Sequence, residues 1–147
     1  MSEKKENPGA GVLLVTHGVF GKELINAASS VLGPQEGLES VAVDVEIGVD
    51  ETVEAIRGAL KRIDSGKGVL ILTDLFGGSP TTLSLSLLKT ENVEVVTGVN
   101  LPMLVKALQS RQMQLTKLAQ EASEAGKQGI KVAGELLRGK GRKQGKH

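Results

Sequence analysis

Apolar runs of four to six residues alternate along this chain with stretches in which apolar side chains return every third or fourth position, the pattern of a parallel sheet wrapped by helices. The first run, Val12–Thr16, is nearly all apolar and predicts a central strand covered on both faces. A helix follows over Lys22–Leu32, with Leu24, Ile25, Ala28, Val31 and Leu32 on one face and Gly33-Pro34 as its stop. Val41–Glu46 alternates valine with Ala42, Asp44 and Glu46, which predicts a strand at or near an edge of the sheet. Asp50 is expected to cap a second helix, whose apolar line runs through Val53, Ile56, Leu60 and Ile63 and which stops before Gly66.

Gly68–Thr73 reads as the third strand and Pro80–Lys89 as the third helix, with Ser79 as N-cap and Pro80 where a missing N–H costs nothing. Val93–Thr97 is the fourth strand, after which Gly98-Val99-Asn100-Leu101-Pro102 turns the chain into a short helix ending near Ser110. Leu115–Ala125 predicts a helix stopped by Gly126, and Ile130–Ala133 a last short strand. From Arg138 onward glycines alternate with basic residues, which predicts a disordered tail. The fold class expected is α/β, an open and mostly parallel sheet of order 2-1-3-4 with helices on both faces.

A chain of 147 residues with 39% hydrophobic content supports one core and not two. The division expected is an N-terminal tail over 1–10, one domain over 11–137 and a basic tail over 138–147. No apolar stretch approaches the length that spans a bilayer, and the start MSEKKENPGA lacks the apolar centre of a signal peptide, so a cytoplasmic location is expected. With no cysteine and two histidines, disulfides and thiolate metal sites are excluded, and neither a metal nor a cofactor is expected. The net charge of +1 conceals a segregation, because Arg138, Lys140, Arg142, Lys143 and Lys146 crowd the last ten residues. Without those five, 13 of the 18 basic residues face all 17 acids, so residues 1–137 carry about −4 and give no footprint for nucleic acid.

In an open α/β sheet, ligands bind beyond the carboxyl ends of strands whose connections diverge to opposite faces. With this strand order the crevice lies between the first and third strands, where His17 and Asp74 stand. An imidazole attacks phosphorus through a neutral nitrogen, and a carboxylate that accepts the other ring N–H fixes the tautomer and stabilises the developing positive charge. The N–H groups of Gly78, Ser79 and their neighbours, with the Ser79 hydroxyl, would hold the incoming anion at the start of the third helix. Taken singly, His17 is an ordinary rim histidine, Asp74 a turn former, Gly77-Gly78 a tight connection and Ser79 an N-cap. Together they fit reversible phosphoryl transfer to His17. Phe20 and Phe76, the only aromatic residues, flank these motifs and form either core or an apolar collar for docking proteins.

The segments Thr16–Gly18 (THG), Thr73–Pro80 (TDLFGGSP) and Thr97–Leu104 (TGVNLPML) resemble, in order and spacing, the mannose-type enzyme IIA of the bacterial phosphoenolpyruvate-dependent sugar phosphotransferase system. The resemblance covers about Gly11 to Ala133. It implies that His17 takes a phosphoryl group from the phosphocarrier HPr and passes it to a IIB component, for sugar uptake or for regulation. It further implies that Asp74 hydrogen-bonds this histidine, that Ser79 lies near the phosphoryl group, and that contact with a membrane is indirect, through a IIC/IID transporter. The family fold carries an antiparallel edge strand exchanged between the subunits of a homodimer, which matches the short run Ile130–Ala133. Val19 and Phe76 stand where the best-known sugar-transporting members carry tryptophan, a departure that bears on partner and sugar rather than on chemistry. Two other readings remain open at this point: the phosphotransfer subunit of a dihydroxyacetone kinase, and a nucleotide- or flavin-binding module. The second lacks a GxxxxGK[ST] or GxGxxG run and any tryptophan or tyrosine.

Overall fold

In the computed structural model, which describes residues 7–142 apart from 45, 76 and 77 and gives 140–142 as backbone alone, the apolar run of the first strand becomes the centre of the fold. That strand is β1 (Gly11–His17), followed by α1 (Phe20–Leu32), β2 (Leu38–Val43), α2 (Val49–Ile63) and β3 (Val69–Thr73). The chain continues through α3 (Ser79–Leu85), β4 (Val93–Thr97), α4 (Leu101–Gln109), α5 (Leu115–Gln128) and α6 (Ala133–Arg142). The four strands are all parallel in the order β2-β1-β3-β4, as the sequence predicts. β1 and β3 are inner strands, which is why Val12, Leu13, Leu14, Val15 and Val69 to Leu72 have no exposed surface. Each such side chain contributes about 1.5–3 kcal/mol of burial free energy.

Alternation along the strands divides the core in two. Val12, Leu14, Leu70 and Leu72 meet α1, α4 and α5 through Ala28, Met103, Leu104, Leu118 and Ala122. Leu13, Val15, Val69 and Ile71 meet α2 and the turn after α3 through Ile56, Ala59, Leu60, Ile63 and Leu87. The connection after β1 therefore passes to one face and the connection after β3 to the other, which opens a crevice at their carboxyl ends.

Several boundaries differ from those the sequence predicts. β2 ends at Val43 rather than Glu46, because the Asp44 carboxylate turns back on the Glu46 N–H at 3.0 Å and bends the chain out of the sheet. α2 begins two residues early, with Gly48 rather than Asp50 at the N-cap, where the Glu51 carboxylate accepts from the Gly48 N–H. α1 likewise begins at Phe20, before Lys22. α3 stops at Leu85 instead of Lys89, and Ser84 and Ser86 bond back to the carbonyls of Pro80 and Leu83, a competition that weakens continued helix. Gly126 does not stop α5; it lies buried inside the helix, which runs on to Gln128.

The C-terminal strand expected at Ile130–Ala133 does not form in the single chain. A strand needs an edge to pair with, and here local bonding wins: Leu136 N–H reaches the Val132 carbonyl at 3.1 Å and Ala133 opens α6. Residues 138–142, expected in a disordered tail, continue that helix, and 143–147 lie outside the described residues. At the other end, residues 1–6 lie outside them too, whereas Gly9 and Ala10 are buried against the body. The Ala10 N–H donates to the Arg111 carbonyl at 2.9 Å.

Candidate functional site

Parallel pairing places Val15 beside Thr73, so two more residues of β1 and one more after β3 bring His17 and Asp74 to the same rim. Asp74 Oδ2 accepts two hydrogen bonds from one residue, from the His17 backbone N–H at 3.0 Å and from its Nδ1 at 2.9 Å. Burial alone would push the Asp74 carboxyl up, but the backbone bond, the imidazole bond and the histidine charge outweigh it and hold the group below its ordinary value of 3.8. The ionised carboxylate accepts only, so in the neutral imidazole Nδ1 carries the proton and Nε2 keeps its lone pair. The His17 side chain is 52% exposed and that of Asp74 16%, so the imidazole is open to an incoming group while the carboxylate bonded to it is sheltered. Asp74 Oδ1 is buried with no hydrogen-bond partner among the described residues, which leaves its negative charge concentrated at this rim.

Gly78 stands close to the imidazole. A Cβ added at Gly78 would lie 3.1 Å from His17 Cε1 and 3.6 Å from Nε2, so any larger residue would press on the imidazole, the φ of −84° being open to any residue. Gly78, rather than the expected Ser79, is the N-cap of α3, and exposed Ser79 is the first helical residue, with Pro80 after it. Ser79 shares with His17 a cleft of about 480 Å³, lined also by Val43, Asp44, Ile47, Val49, Thr52, Thr82 and Leu83. The structure thus brings all four predicted site residues, His17, Asp74, Gly78 and Ser79, to one place. Phe20 opens α1 with 43% of its surface exposed, while Phe76 falls outside the described residues.

The sequence reading passed over the threonines that hold the rim together. Thr16, almost wholly buried, accepts the Gly21 N–H on its hydroxyl at 2.8 Å and so fixes the start of α1, whose N-cap Val19 offers no side-chain acceptor. Buried Thr73 and Thr81 share a hydrogen bond of 2.6 Å, and Thr81 donates to the Leu75 carbonyl at 2.7 Å, tying the end of β3 to α3 across the Asp74 loop. Their signal was a threonine just before each motif residue, His17 and Asp74. The backbone after β4 is stitched to the same rim by the Val99 N–H to the Thr73 carbonyl at 2.9 Å.

Comparison with known proteins places this geometry in context. A family model described as the PTS (sugar phosphotransferase system) fructose IIA component matches residues 11–123. The PTS system mannose-specific EIIAB component of Escherichia coli strain K12 is 33% identical over 124 residues, 82% of this chain and 38% of that protein. The chain thus spans well under half the length of the mannose-specific relatives it matches. The PTS system fructose-specific EIIA component of Bacillus subtilis strain 168 is 29% identical over 128 residues, covering 86% of this chain and 88% of that protein. Among solved structures, the PTS IIA protein associated with the fucose utilization operon of Streptococcus pneumoniae matches with a TM-score of 0.78 at 25% identity, covering 88% of this chain and 96% of its own. The mannose/sorbose specific IIA subunit of Enterococcus faecalis matches at 0.77 and 24% identity over 84% and 94%, a likeness of fold.

Proposed function

This chain belongs to the mannose- and fructose-type IIA family of the sugar phosphotransferase system, and from that premise we propose that His17 carries a phosphoryl group on Nε2 between a donor and an acceptor protein. The observation that carries the proposal is the 2.9 Å bond from Nδ1 to Asp74, which commits one ring nitrogen to the carboxylate and leaves the other as nucleophile. The lone pair of Nε2 attacks phosphorus while the bond to the donor's nitrogen breaks and its electrons return to the donor. The positive charge that develops on the imidazole is stabilised by Asp74. The reverse sequence delivers the group to the acceptor.

HPr is the donor and a IIB component the acceptor in this reading, and the work is done in the cytoplasm. Among the described residues no helix is long and apolar enough to cross a membrane. In this reading a IIC/IID transporter is reached through IIB. Ser79 and the Gly78 and Ser79 N–H groups are assigned to the phosphoryl oxygens, supported by the place of Ser79 in the cleft and of Gly78 against the imidazole, although the Gly78 N–H donates to the Leu75 carbonyl at 3.3 Å and would have to exchange that partner. Two copies pair through the C-terminal segment, where Ile130, Val132, Leu136 and Leu137 are left 55–77% exposed in the single chain. The strand exchange that the family resemblance implies would give Ile130–Val132 the sheet edge it lacks here.

The test is incubation with phosphoenolpyruvate, enzyme I and HPr. The protein is expected to take up one phosphoryl group per chain, labile in acid and stable in base, because a phosphoramidate hydrolyses in acid and a serine ester does not. His17→Ala should take up none. Labelling of that variant at the wild-type level would end the assignment.

A further inference from the structure

Asp74 can orient His17 only if Asp74 is itself held still, and the side chain next along, Leu75, is 58% exposed and gives the chain no anchor there. The anchor is a hydroxyl just beyond Pro80, where the second sequence motif ends. Thr81, in α3 and 1% exposed, has its oxygen 2.7 Å from the Leu75 carbonyl and 2.6 Å from the hydroxyl of wholly buried Thr73. A carbonyl only accepts, so the single Thr81 proton goes to Leu75, and Thr73 is the donor in the other bond. The residue before Asp74 and the residue after it are thus fastened to one oxygen. The Leu75 carbonyl also takes the Gly78 N–H at 3.3 Å, and Gly78 is the residue that stands against His17 Cε1. The imidazole is therefore held on two sides, by a carboxylate at Nδ1 and by backbone at Cε1, and the Leu75 carbonyl links the two.

We infer that Thr81 is a positioning residue for phosphoryl transfer: its hydroxyl, acting through Leu75, sets where Asp74 and Gly78 stand and so which imidazole nitrogen is presented. This rests on the phosphohistidine reading and adds a residue to its machinery. Thr81 acts through Asp74 and Gly78, and its burial keeps it away from any partner protein. Without the hydroxyl, the Leu75 carbonyl keeps only its longer bond to Gly78, Asp74 loses its fixed point, and the carboxylate holds Nδ1 for a smaller share of the time. The two threonines are not equivalent in this respect. Removing the Thr73 hydroxyl breaks the bond between them and leaves the one from Thr81 to Leu75 in place. That asymmetry separates positioning from a general contribution to stability.

The experiment compares Thr81→Val, which keeps the shape and loses the hydroxyl, with Thr81→Ser, which keeps the hydroxyl, and with Thr73→Val. Three readouts are taken: urea unfolding, nitrogen-15 NMR of the unloaded His17 ring, and rapid-quench loading over a range of phospho-HPr concentrations. Thr81→Val and Thr73→Val should both lose stability. Thr81→Val alone should lower the saturating rate constant about tenfold, with the half-saturating phospho-HPr concentration unchanged. It should also show neutral His17 divided between its two tautomers instead of protonated on Nδ1 alone. Thr81→Ser should restore both readouts. If Thr81→Val does not fold, Thr81→Ala removes the same hydroxyl with less bulk and carries the same expectation. A folded variant without the Thr81 hydroxyl that keeps the wild-type rate and a single Nδ1–H tautomer would overturn the inference while leaving the phosphohistidine intact. An equal loss of rate in Thr73→Val would overturn it too, by marking the pair as merely structural. Failure of wild-type His17 to load at all would remove the underlying reading and the inference with it.

Discussion

In the proposed transfer His17, Asp74 and Gly78 act as one unit in which each residue type answers a different need. The part proposed for Asp74 is to orient and stabilise rather than to make bonds, so Asp74→Ala should fold and yet slow transfer by roughly 10²–10⁴, the range of a positioned acid–base group; quench-flow from phospho-HPr measures this. Its carboxyl lies below the ordinary 3.8, so its stabilising contribution is fully present above that value and is lost as pH falls through the lowered native one. Urea midpoints of wild type and Asp74→Asn should therefore converge on acidification, and a constant gap would show that the carboxylate is not linked to folding. Gly78→Ala tests space: the added methyl presses on His17 Cε1 at 3.1 Å and should slow transfer roughly tenfold, short of the 10² that a 1 Å misplacement can cost. Because φ is ordinary there, thermal stability should hold or rise slightly. His17 and Asp74 were legible in the sequence because each ends a nearly uninterrupted apolar strand. The steric demand at Gly78 was not, since it depends on how closely α3 crosses the imidazole, which no spacing encodes.

Among the elements, the inner strands and α2 follow directly from period, whereas the misread features arise from tertiary contact overriding local signals. Gly126 reads as a helix stop but serves close packing: a Cβ there would stand 2.7 Å from Met103 Cε and 3.2 Å from Met103 Cβ. Its carbonyl also takes the Asn100 side-chain N–H at 3.1 Å, while the Asn100 oxygen caps α4 at the Met103 N–H. Gly126→Leu should thus overpack the α4–α5 contact and cost about 1–3 kcal/mol in denaturant unfolding. Arg111 was invisible for the same reason. Buried after α4, it donates to the carbonyls of Ala10, Glu36 and Gly37 at 2.7, 2.6 and 3.2 Å, joining the start of β1 to the α1–β2 connection. Arg111→Ala leaves those acceptors behind and should cost about 3 kcal/mol while sparing the chemistry at the opposite end of the strands, which unfolding and transfer assays together can check.

At the scale of the whole molecule, the sheet order and the opposed connections were readable because handedness and period leave few alternatives for alternating strands and helices. The C-terminus was not, because a segment such as Ile130–Leu137 takes its structure from whatever covers it. Its exposed apolar side chains make the oligomer testable: sedimentation should show a dimer for the full chain, a monomer or aggregate after removal of 130–147, and an unchanged dimer after removal of 138–147 alone. A monomeric full-length protein at micromolar concentration would refute pairing through this segment. In the proposed function these contacts serve to present one nitrogen of one imidazole, and phosphorus–nitrogen NMR of the intact phosphorylated protein reads that nitrogen directly. With Nδ1 held by Asp74 at 2.9 Å, the phosphoryl group should appear on Nε2 of His17. Its appearance on Nδ1, or on any other residue, would contradict the account.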